Sequence, residues 1–335
     1  MVSKSRFGLV SLTAICTCLA LWASGASAQI VVGQTLRPPF APVQCNSESP
    51  TDEMQVTVAS GASYTVPSAG SLTTWSTVAG LSGGRLGLKV YRPLGGTRYQ
   101  VVGEDGPRPL LAGQRNTFPV AIPVLPGDVV GTAVPGHANA ACLFTTNLGA
   151  DFYRYNPGNS PNGWIIEFGS MLFGTEERTN IEASLLPAPV ISSFSPAAGP
   201  IKDATVTIAG ANFSAVQGVS FGAVPAKSFT VTSEAQIVAV APDSATLSQV
   251  PITVTTSAGS ATTSQAFAYE GCKVPQLKNR TLKAGKKLAR KRDCKIGKVK
   301  KLGDATARTG KVVKQSPKPG KILLPGTKIR VTLGD

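Results

Sequence analysis

The chain has few of the residues from which metal sites are built. Among its 335 residues there is one histidine, His137, and no two cysteines form a C-x-x-C pair. Because structural zinc sites use Cys and His ligands at short, regular spacings, this scarcity argues against zinc. No stretch after residue 28 is long and apolar enough to span a membrane. We therefore expect no metal, no cofactor and no membrane-spanning segment in the mature protein.

A catalytic triad also has little support in the sequence. Gly80–Gly84 and Gly218–Gly222 match the G-x-S-x-G pattern, but that motif needs a strand-to-helix turn and no helical pattern follows either serine. Ser82, Asp128 and His137 do occur in the chain order of a hydrolase. A polysaccharide or ester hydrolase is therefore kept as a minor alternative, and we predict that the protein is not an enzyme.

Two short motifs have ordinary structural explanations. Gly103–Gly106 contains two adjacent acids and could bind calcium, but four such residues are more often a hairpin turn. Leu324–Thr327 resembles a sortase sorting signal, but Lys328 replaces the required glycine and no apolar tail follows. We predict a turn before a last strand there, and no covalent anchoring to the wall.

The beginning of the chain has the pattern of a secretory signal. Lys4 and Arg6 precede a mostly apolar run, Phe7–Trp22, and Ala26-Ser27-Ala28 offers a cleavage site. The alternative is an uncleaved membrane anchor, for which the run is short and interrupted by hydroxyl side chains. We expect residues 1–28 to be removed, and the mature protein to be secreted and extracellular or cell-wall associated.

Four cysteines remain in the mature chain: Cys45, Cys142, Cys272 and Cys294. An even number of cysteines in a secreted protein indicates two disulfides. The cysteines by themselves allow three pairings.

The composition indicates β-structure. The sequence has 35 Gly and 25 Pro, and short apolar runs alternate with turn residues, as in antiparallel sandwiches. Such runs occur at Gln55–Val58, Leu86–Tyr91, Tyr99–Val102, Phe118–Pro123 and Asp128–Ala133. Only Leu282–Arg292 has a helical pattern. Because the mature chain is too long for one sandwich, we divide it at residues 29–187, 188–270 and 271–335.

Residues 29–187 are expected to form a jelly-roll-like β-sandwich with Trp75, Leu86, Leu88, Val90 and Val129 in its core. The segments Leu72–Ser76 and Gly84–Pro93 resemble an extracellular sandwich that is common in secreted actinobacterial proteins. That resemblance implies no defined activity.

One segment of this first domain is a candidate sugar-binding loop. Between Asp151 and Trp164, aromatic and amide side chains lie among Gly and Pro, and such side chains can stack on and hydrogen-bond a sugar. The alternative is a long hairpin loop whose aromatic rings fold back onto the sheet. The candidate sugar-binding residues are Tyr153, Tyr155, Asn156 and Trp164.

Residues 188–270 follow a Pro-flanked junction, Leu186–Pro189. The opening Pro189–Pro200, the strand Val206–Phe213 and the closing Phe267–Tyr269 resemble an IPT/TIG domain. Lys202-Asp203 stands where that family usually has a Gly pair. The resemblance implies an immunoglobulin-like β-sandwich that serves as a spacer or interaction domain, without chemistry of its own.

Residues 271–335 carry 20 of the 33 Lys and Arg residues but only three acids, a net charge of +17. Because a block of like charge is costly unless something neutralises it, this segregation indicates an anionic partner. The segments Thr281–Ala289, Val312–Gly320 and Pro325–Leu333 resemble a PASTA domain, with Gln-Ser-Pro-Lys-Pro-Gly as the most specific element. The resemblance implies a small α+β module that binds peptidoglycan or related wall polymers, usually through tandem repeats, of which this chain has one.

The candidate wall-binding residues on this domain are Val274, Pro275, Lys314, Gln315, Ser316, Lys318 and Lys321. Thr281 is expected to cap the helix. If each domain folds by itself, the pairings Cys45–Cys142 and Cys272–Cys294 are favoured, because each of them stays within one domain.

We thus predict a mainly β protein: a jelly-roll-like sandwich, an immunoglobulin-like sandwich and a small PASTA-like module. The leading function is a secreted, non-enzymatic surface protein that the basic module attaches non-covalently to peptidoglycan or an anionic wall glycopolymer. The alternative is an extracellular carbohydrate-binding protein that acts through the first domain. Nucleic-acid binding fits the charge, but the basic module has no aromatic residue for base stacking. The sequence does not predict an oligomeric state.

Overall fold

The computed structural model describes residues 29–174 and 176–334, which form 29 strands and one helix. The expected signal segment, residues 1–28, lies outside the described residues. The first thirteen strands are β1 Ile30–Gln34, β2 Ala41–Cys45, β3 Thr51–Thr57, β4 Gly70–Val78, β5 Arg85–Gly95, β6 Arg98–Pro109, β7 Arg115–Val124, β8 Val129–Val134, β9 Ala140–Thr145, β10 Phe152–Pro157, β11 Ile165–Glu167, β12 Glu177–Thr179 and β13 Ile181–Pro187. The five segments predicted as strands fall within β3 and β5 to β8, apart from single residues at their ends.

Eight of these strands have the connectivity of a jelly roll. One sheet has the order β1-β13-β4-β7, and the other contains the order β3-β8-β5-β6, with β10 and β11 added at its two edges. The eight strands are, in chain order, β1, β3, β4, β5, β6, β7, β8 and β13. Numbered one to eight, they form one sheet of order 1-8-3-6 and a second of order 2-7-4-5. This is the double Greek key of the jelly roll. The predicted jelly-roll-like sandwich is confirmed.

The two sheets enclose one apolar core. Trp75, Leu88, Val90 and Val129 all belong to it, and side chains from both sheets contribute. Leu86 lies instead in a neighbouring cluster with Cys142, beneath a small third sheet of β12, β9 and β2. Leu88 and Val90 are two residues apart along β5, so their side chains point to the same face of that strand and into this core.

The second part of the chain is also a sandwich. Its strands are β14 Val190–Ser195, β15 Ala198–Pro200, β16 Thr205–Ala211, β17 Val216–Phe221, β18 Val224–Pro225, β19 Ser228–Ser233, β20 Gln236–Val240, β21 Gln249–Val250, β22 Ile252–Thr256, β23 Gly259–Thr262 and β24 Phe267–Glu270. They form sheets of order β14-β16-β20-β19, β18-β17-β22-β23 and β15-β24-β21 around a shared core. Asp203, which replaces a usual glycine, adopts a positive φ of 53° in its turn. Its carboxylate accepts a hydrogen bond from Lys227 at 2.6 Å.

The third part combines one helix with short strands. These are β25 Cys272–Lys273, α1 Leu282–Arg290, β26 Lys295–Lys301, β27 Lys311–Ser316, β28 Ile322–Leu323 and β29 Lys328–Gly334. The main sheet has the order β26-β29-β27, and α1 packs against one of its faces through Leu282 and Ala289. Thr281 caps the helix as predicted, accepting a hydrogen bond from the Ala284 N–H. The helix ends at Arg290, two residues earlier than predicted, and Asp293 then takes a positive φ of 53°.

Contacts connect the second and third parts. Ile322 in β28 packs against the core of the second sandwich. Gly271 lies between Ile201, Leu247 and the Leu323 carbonyl, and a Cβ at this position would come within 2.8 Å of that oxygen. The absence of a side chain at Gly271 therefore permits the close approach of the chain segments.

Candidate functional site

Residues 271–334 carry 20 Lys and Arg residues and two acids, Asp293 and Asp304. In that range the structure shows no ion pair, although ion pairs occur in the two preceding parts. Exposed Lys and Arg side chains therefore repel one another across a small domain and leave it with a strong unsatisfied attraction for anions.

The most regular group of these cations lies on the sheet face that points away from α1. Period-two alternation in β29 buries Ile329, Val331 and Leu333 against the helix and leaves Arg330 and Thr332 on the other side. In register, Thr332 is flanked by Lys300 of β26 and Lys314 of β27. Together with two neighbours that line the same shallow pocket, they form a surface that we name the cationic sheet face: Lys298, Lys300, Lys314, Ser316, Arg330 and Thr332.

Gln315 has a different role from its neighbours, because its side chain points inward and holds the chain together. Its Oε1 accepts a hydrogen bond of 2.7 Å from the Leu277 N–H. Its Nε2 donates to the carbonyl oxygens of Pro275 and Pro317 at 3.0 and 3.3 Å. With its amide used in this way, Gln315 positions the segment before α1 against β27, and it is not free to contact a ligand.

Apart from Gln315, the predicted wall-binding residues fall into three groups. Lys314 and Ser316 lie on the cationic sheet face. Buried Val274 pairs through its backbone with Gly320 and Lys321. Val274 and Pro275 line a second pocket, whose other residues are Lys273, Gln276, Arg280, Leu288, Arg292, Pro319 and Gly320. The side chains of Lys318 and Lys321 are exposed on the turn beside it.

A third pocket lies between α1 and the turn that precedes β29. It is lined by Lys286, Arg290, Lys295 and one acid, Asp293. This pocket thus offers both donors and a carboxylate acceptor, whereas the cationic sheet face carries no acid. The turn itself is the one predicted for Leu324–Thr327, closed by the Thr327 N–H donating to the Leu324 carbonyl at 3.1 Å.

The candidate sugar-binding residues do not share one surface. Tyr153, Tyr155 and Asn156 lie in β10, so the prediction of a loop there was wrong. The two tyrosine rings pack on Phe173, with centroids 6.2 and 4.6 Å from it. Trp164 is 63% exposed beside β11, at the opposite edge of the six-stranded sheet. Five strand spacings of about 4.8 Å separate these edges by about 24 Å.

The residues of the unfavoured triad are also separated. Asp128 precedes β8 and forms a bidentate pair with Arg92, with both hydrogen bonds at 2.8 Å. His137 follows β8, so the length of that strand lies between the two side chains. Ser82 therefore cannot have both of them as neighbours.

Glu104 and Asp105 lie inside β6, so the prediction of a hairpin turn there was wrong. Glu104 pairs with the buried Lys89 at 2.6 Å, and Asp105 pairs with Arg108 at 2.6 Å. Both carboxylates are thus neutralised by cations of the protein, which leaves them poorly suited to calcium.

The structure pairs Cys45 with Cys142 and Cys272 with Cys294, as the domain division favoured. Next to the first disulfide lies the buried carboxyl of Glu53, 3.9 and 3.7 Å from the two sulfur atoms. These three residues have the proximity of metal ligands. Because the sulfurs are bonded to each other, neither is available as a thiolate. Burial raises the pKa of Glu53 to about 7.

Sequence reasoning missed Lys298, Lys300, Arg330 and Thr332. The alternation in Lys328–Leu333 was a usable signal for which side chains share a face. The register that places Lys300 and Lys314 on either side of Thr332 has no such signal, since it depends on pairing between strands distant in sequence.

Comparisons with known proteins identify two domain families in the chain. Family models match an IPT/TIG domain at residues 189–269 and a PASTA domain at residues 273–335. No curated protein matches the chain. Among solved structures, the full extracellular region of plexin A4 is similar at 16% identity and a TM-score of 0.24, over 65% of this chain and 18% of that one. No helix among the described residues is long and apolar enough to cross a membrane. The chain therefore carries an IPT/TIG domain followed by a PASTA domain, two types that suggest a cell-surface or cell-wall-binding protein.

Proposed function

We propose that this is a secreted, non-enzymatic bacterial surface protein that its PASTA domain attaches non-covalently to the cell wall. The ligand is peptidoglycan or an anionic glycopolymer associated with it. The IPT/TIG domain serves as a spacer, and the jelly-roll domain is presented outward. The two disulfides support a location outside the cytoplasm, where such bonds persist.

The observation that carries the proposal is the separation of charge. Residues 29–270 have 11 Lys and Arg against 15 acids, whereas residues 271–335 have a net charge of +17. An anionic polymer therefore attracts the PASTA domain and weakly repels the rest of the protein. Because the cations of residues 271–334 form no ion pair among the described residues, they remain available to bind an anionic polymer.

The mode of attachment has a measurable signature. Exposed charges are screened beyond about 8 Å at physiological ionic strength, so an electrostatic contact weakens steeply as salt rises. A shaped contact at the pocket of Val274 and Pro275 would leave binding that salt does not remove. We expect mainly the electrostatic component, because a single PASTA domain offers a small contact surface.

The test is sedimentation with purified cell walls over a salt series. The mature chain, residues 29–335, is compared with a chain that ends at Glu270. Circular dichroism and cooperative unfolding check that the shorter chain is folded, because it loses the contact of Ile322 with its core. We expect the mature chain to pellet at low salt and the shorter chain to stay in solution. Equal pelleting of both would contradict the proposal.

A carbohydrate-binding role of the first domain is the second candidate. It is supported by Trp164, a large aromatic side chain that is 63% exposed. In this case the shorter chain would still pellet, and Trp164→Ala would abolish that binding. Tyr99→Ala is not a suitable control because Tyr99 packs against Phe168. The exposed Leu125, changed to Ala, is the better one.

A further inference from the structure

We infer that the cationic sheet face binds a linear polymer of phosphodiester-linked units. This inference rests on the proposed function, and it names both the surface of the PASTA domain that makes the contact and the chemistry of the wall polymer. Three observations carry it: the donor character of the face, the spacing of its cations and the absence of neutralising acids.

The face presents four cations and two hydroxyl groups, and none of its residues carries a carboxylate. A phosphodiester backbone presents acceptor oxygens and one negative charge in each unit, so donors and acceptors match. A peptide stem or a neutral sugar also presents N–H and O–H donors, which need acceptors on the protein. The pocket that contains Asp293 is better suited to such a ligand, because it offers a carboxylate.

The spacing also fits a linear polyanion. Lys300 and Lys314 lie on either side of Thr332 in register, so two strand spacings put their Cα atoms about 10 Å apart. Arg330 lies two residues from Thr332 along β29, about 7 Å away. Arg330 thus lies diagonally about 8 Å from Lys300 and from Lys314, so these three cations are about 8–10 Å apart, and successive charged groups of one polymer chain can each meet a cation.

The side chains of this face are free to make these contacts. Lys300, Lys314 and Arg330 are exposed, and no side-chain hydrogen bond or ion pair within the described residues uses any of them. Neutralising them should therefore leave the fold intact. It should also reduce the general repulsion among the many like charges of this domain.

The expected loss can be estimated from counterion release. Each contact between a cation and a phosphate on a flexible polyanion contributes roughly 0.7 to the slope of log affinity against log salt. Removing three contacts should lower that slope by about 2 and weaken binding about 50-fold at 0.15 M salt. Cations on α1 lie behind the sheet, and screening beyond about 8 Å limits their effect to about threefold.

The experiment uses the full mature chain and two variants matched in composition. The sheet variant carries Lys300→Gln, Lys314→Gln and Arg330→Gln. The helix variant carries Lys283→Gln, Lys286→Gln and Arg290→Gln, which also removes two Lys and one Arg from exposed positions. Both have the same net charge, so only the location of the lost charge differs.

The probe is poly(glycerol phosphate) of defined length, with binding measured by calorimetry over a salt series. We expect about 50-fold weaker binding for the sheet variant and no more than about threefold for the helix variant, following the counterion and screening arguments. Equal losses in the two variants, or a larger loss in the helix variant, would overturn the inference. Equally tight binding of poly-glutamate by the unaltered protein would overturn the assignment to phosphate.

The outcomes also separate this inference from the proposed function. If the mature chain pellets with cell walls but does not bind poly(glycerol phosphate), the attachment stands and the phosphodiester assignment is refuted. If the mature chain and the chain ending at Glu270 pellet equally, the proposed function fails. Specific binding of poly(glycerol phosphate) by the cationic sheet face would still be detected in that case, since calorimetry does not depend on cell walls.

Discussion

Glu53 makes the stability of the jelly-roll domain depend on pH. Its carboxyl is buried beside the Cys45–Cys142 disulfide and accepts a hydrogen bond from the Thr132 hydroxyl at 3.1 Å. Burial raises its pKa from 4.5 to about 7, and the nearby acids Glu177 and Asp52 add to the shift. Glu53→Gln replaces the group by a neutral amide of similar shape, which can keep the hydrogen bond to Thr132.

The direction and size of this pH dependence follow from the linkage between protonation and folding. Because the folded state holds the Glu53 proton more tightly, this group's contribution is fully present below about pH 4.5 and is lost as the pH rises to about 7. A shift from 4.5 to about 7 corresponds to about 3 kcal/mol in the free energy of unfolding, on the order-of-magnitude scale of 1.36 kcal/mol per unit. Burial also raises the pKa of Asp52, which adds a change of the same sign.

Tryptophan fluorescence can isolate this domain, because Trp75 and Trp164 are the tryptophans of residues 29–335 and both lie in it. Urea unfolding between pH 4.5 and 8 should show the unaltered protein losing stability as the pH rises. Glu53→Gln should remove most of that slope, and Glu48→Gln, at an exposed carboxyl, controls for the lost charge. A slope that is unchanged in Glu53→Gln would refute the reasoning.

Three further predictions concern the PASTA domain and its junction. Gln315→Ala should destabilise the domain by about 1–3 kcal/mol, measured by hydrogen exchange, because it leaves the buried Leu277 N–H without its acceptor. The control, Gln276→Ala, changes an exposed side chain and should have little effect in that measurement. Replacing Cys272 and Cys294 by Ser should cost about 3 kcal/mol for a loop of this length, and an unchanged unfolding midpoint would contradict the prediction. Gly271→Ala should cost about 1–3 kcal/mol by overpacking the junction, measured as a fall in the melting temperature.

Local patterns predicted the elements well where each residue's neighbours in sequence decide its environment. The alternation in Leu86–Tyr91 is enough to place Leu88 and Val90 inside a sandwich, because side chains of a strand point alternately to its two faces. Thr281 likewise predicts a helix start, because capping involves only the next few residues. Repeated along the strands of residues 29–187, such alternation was enough to predict a β-sandwich there.

The candidate sites were predicted less well, because they depend on contacts between distant segments. Tyr153 and Trp164 are close in sequence, yet the chain between them crosses the end of the sheet and leaves them at opposite edges. Ser160 lies on this crossing, where its N–H donates to Asp52 at 2.9 Å. Aromatic and amide composition cannot reveal such a path. Gln315 shows the same limit, since its motif identified the domain but not its inward orientation.

The unpaired charge of the PASTA domain links its stability to its ligand. A compact domain that carries many like charges is destabilised by their mutual repulsion, and anything that binds only the folded state stabilises it by mass action. The Cys272–Cys294 disulfide and the Gln315 hydrogen bonds offset part of this repulsion within the protein. The buried core of the domain opposes the repulsion as well, and salt or a bound polyanion reduces it further from outside. The same property that weakens the isolated domain thus gives it affinity for an anionic wall.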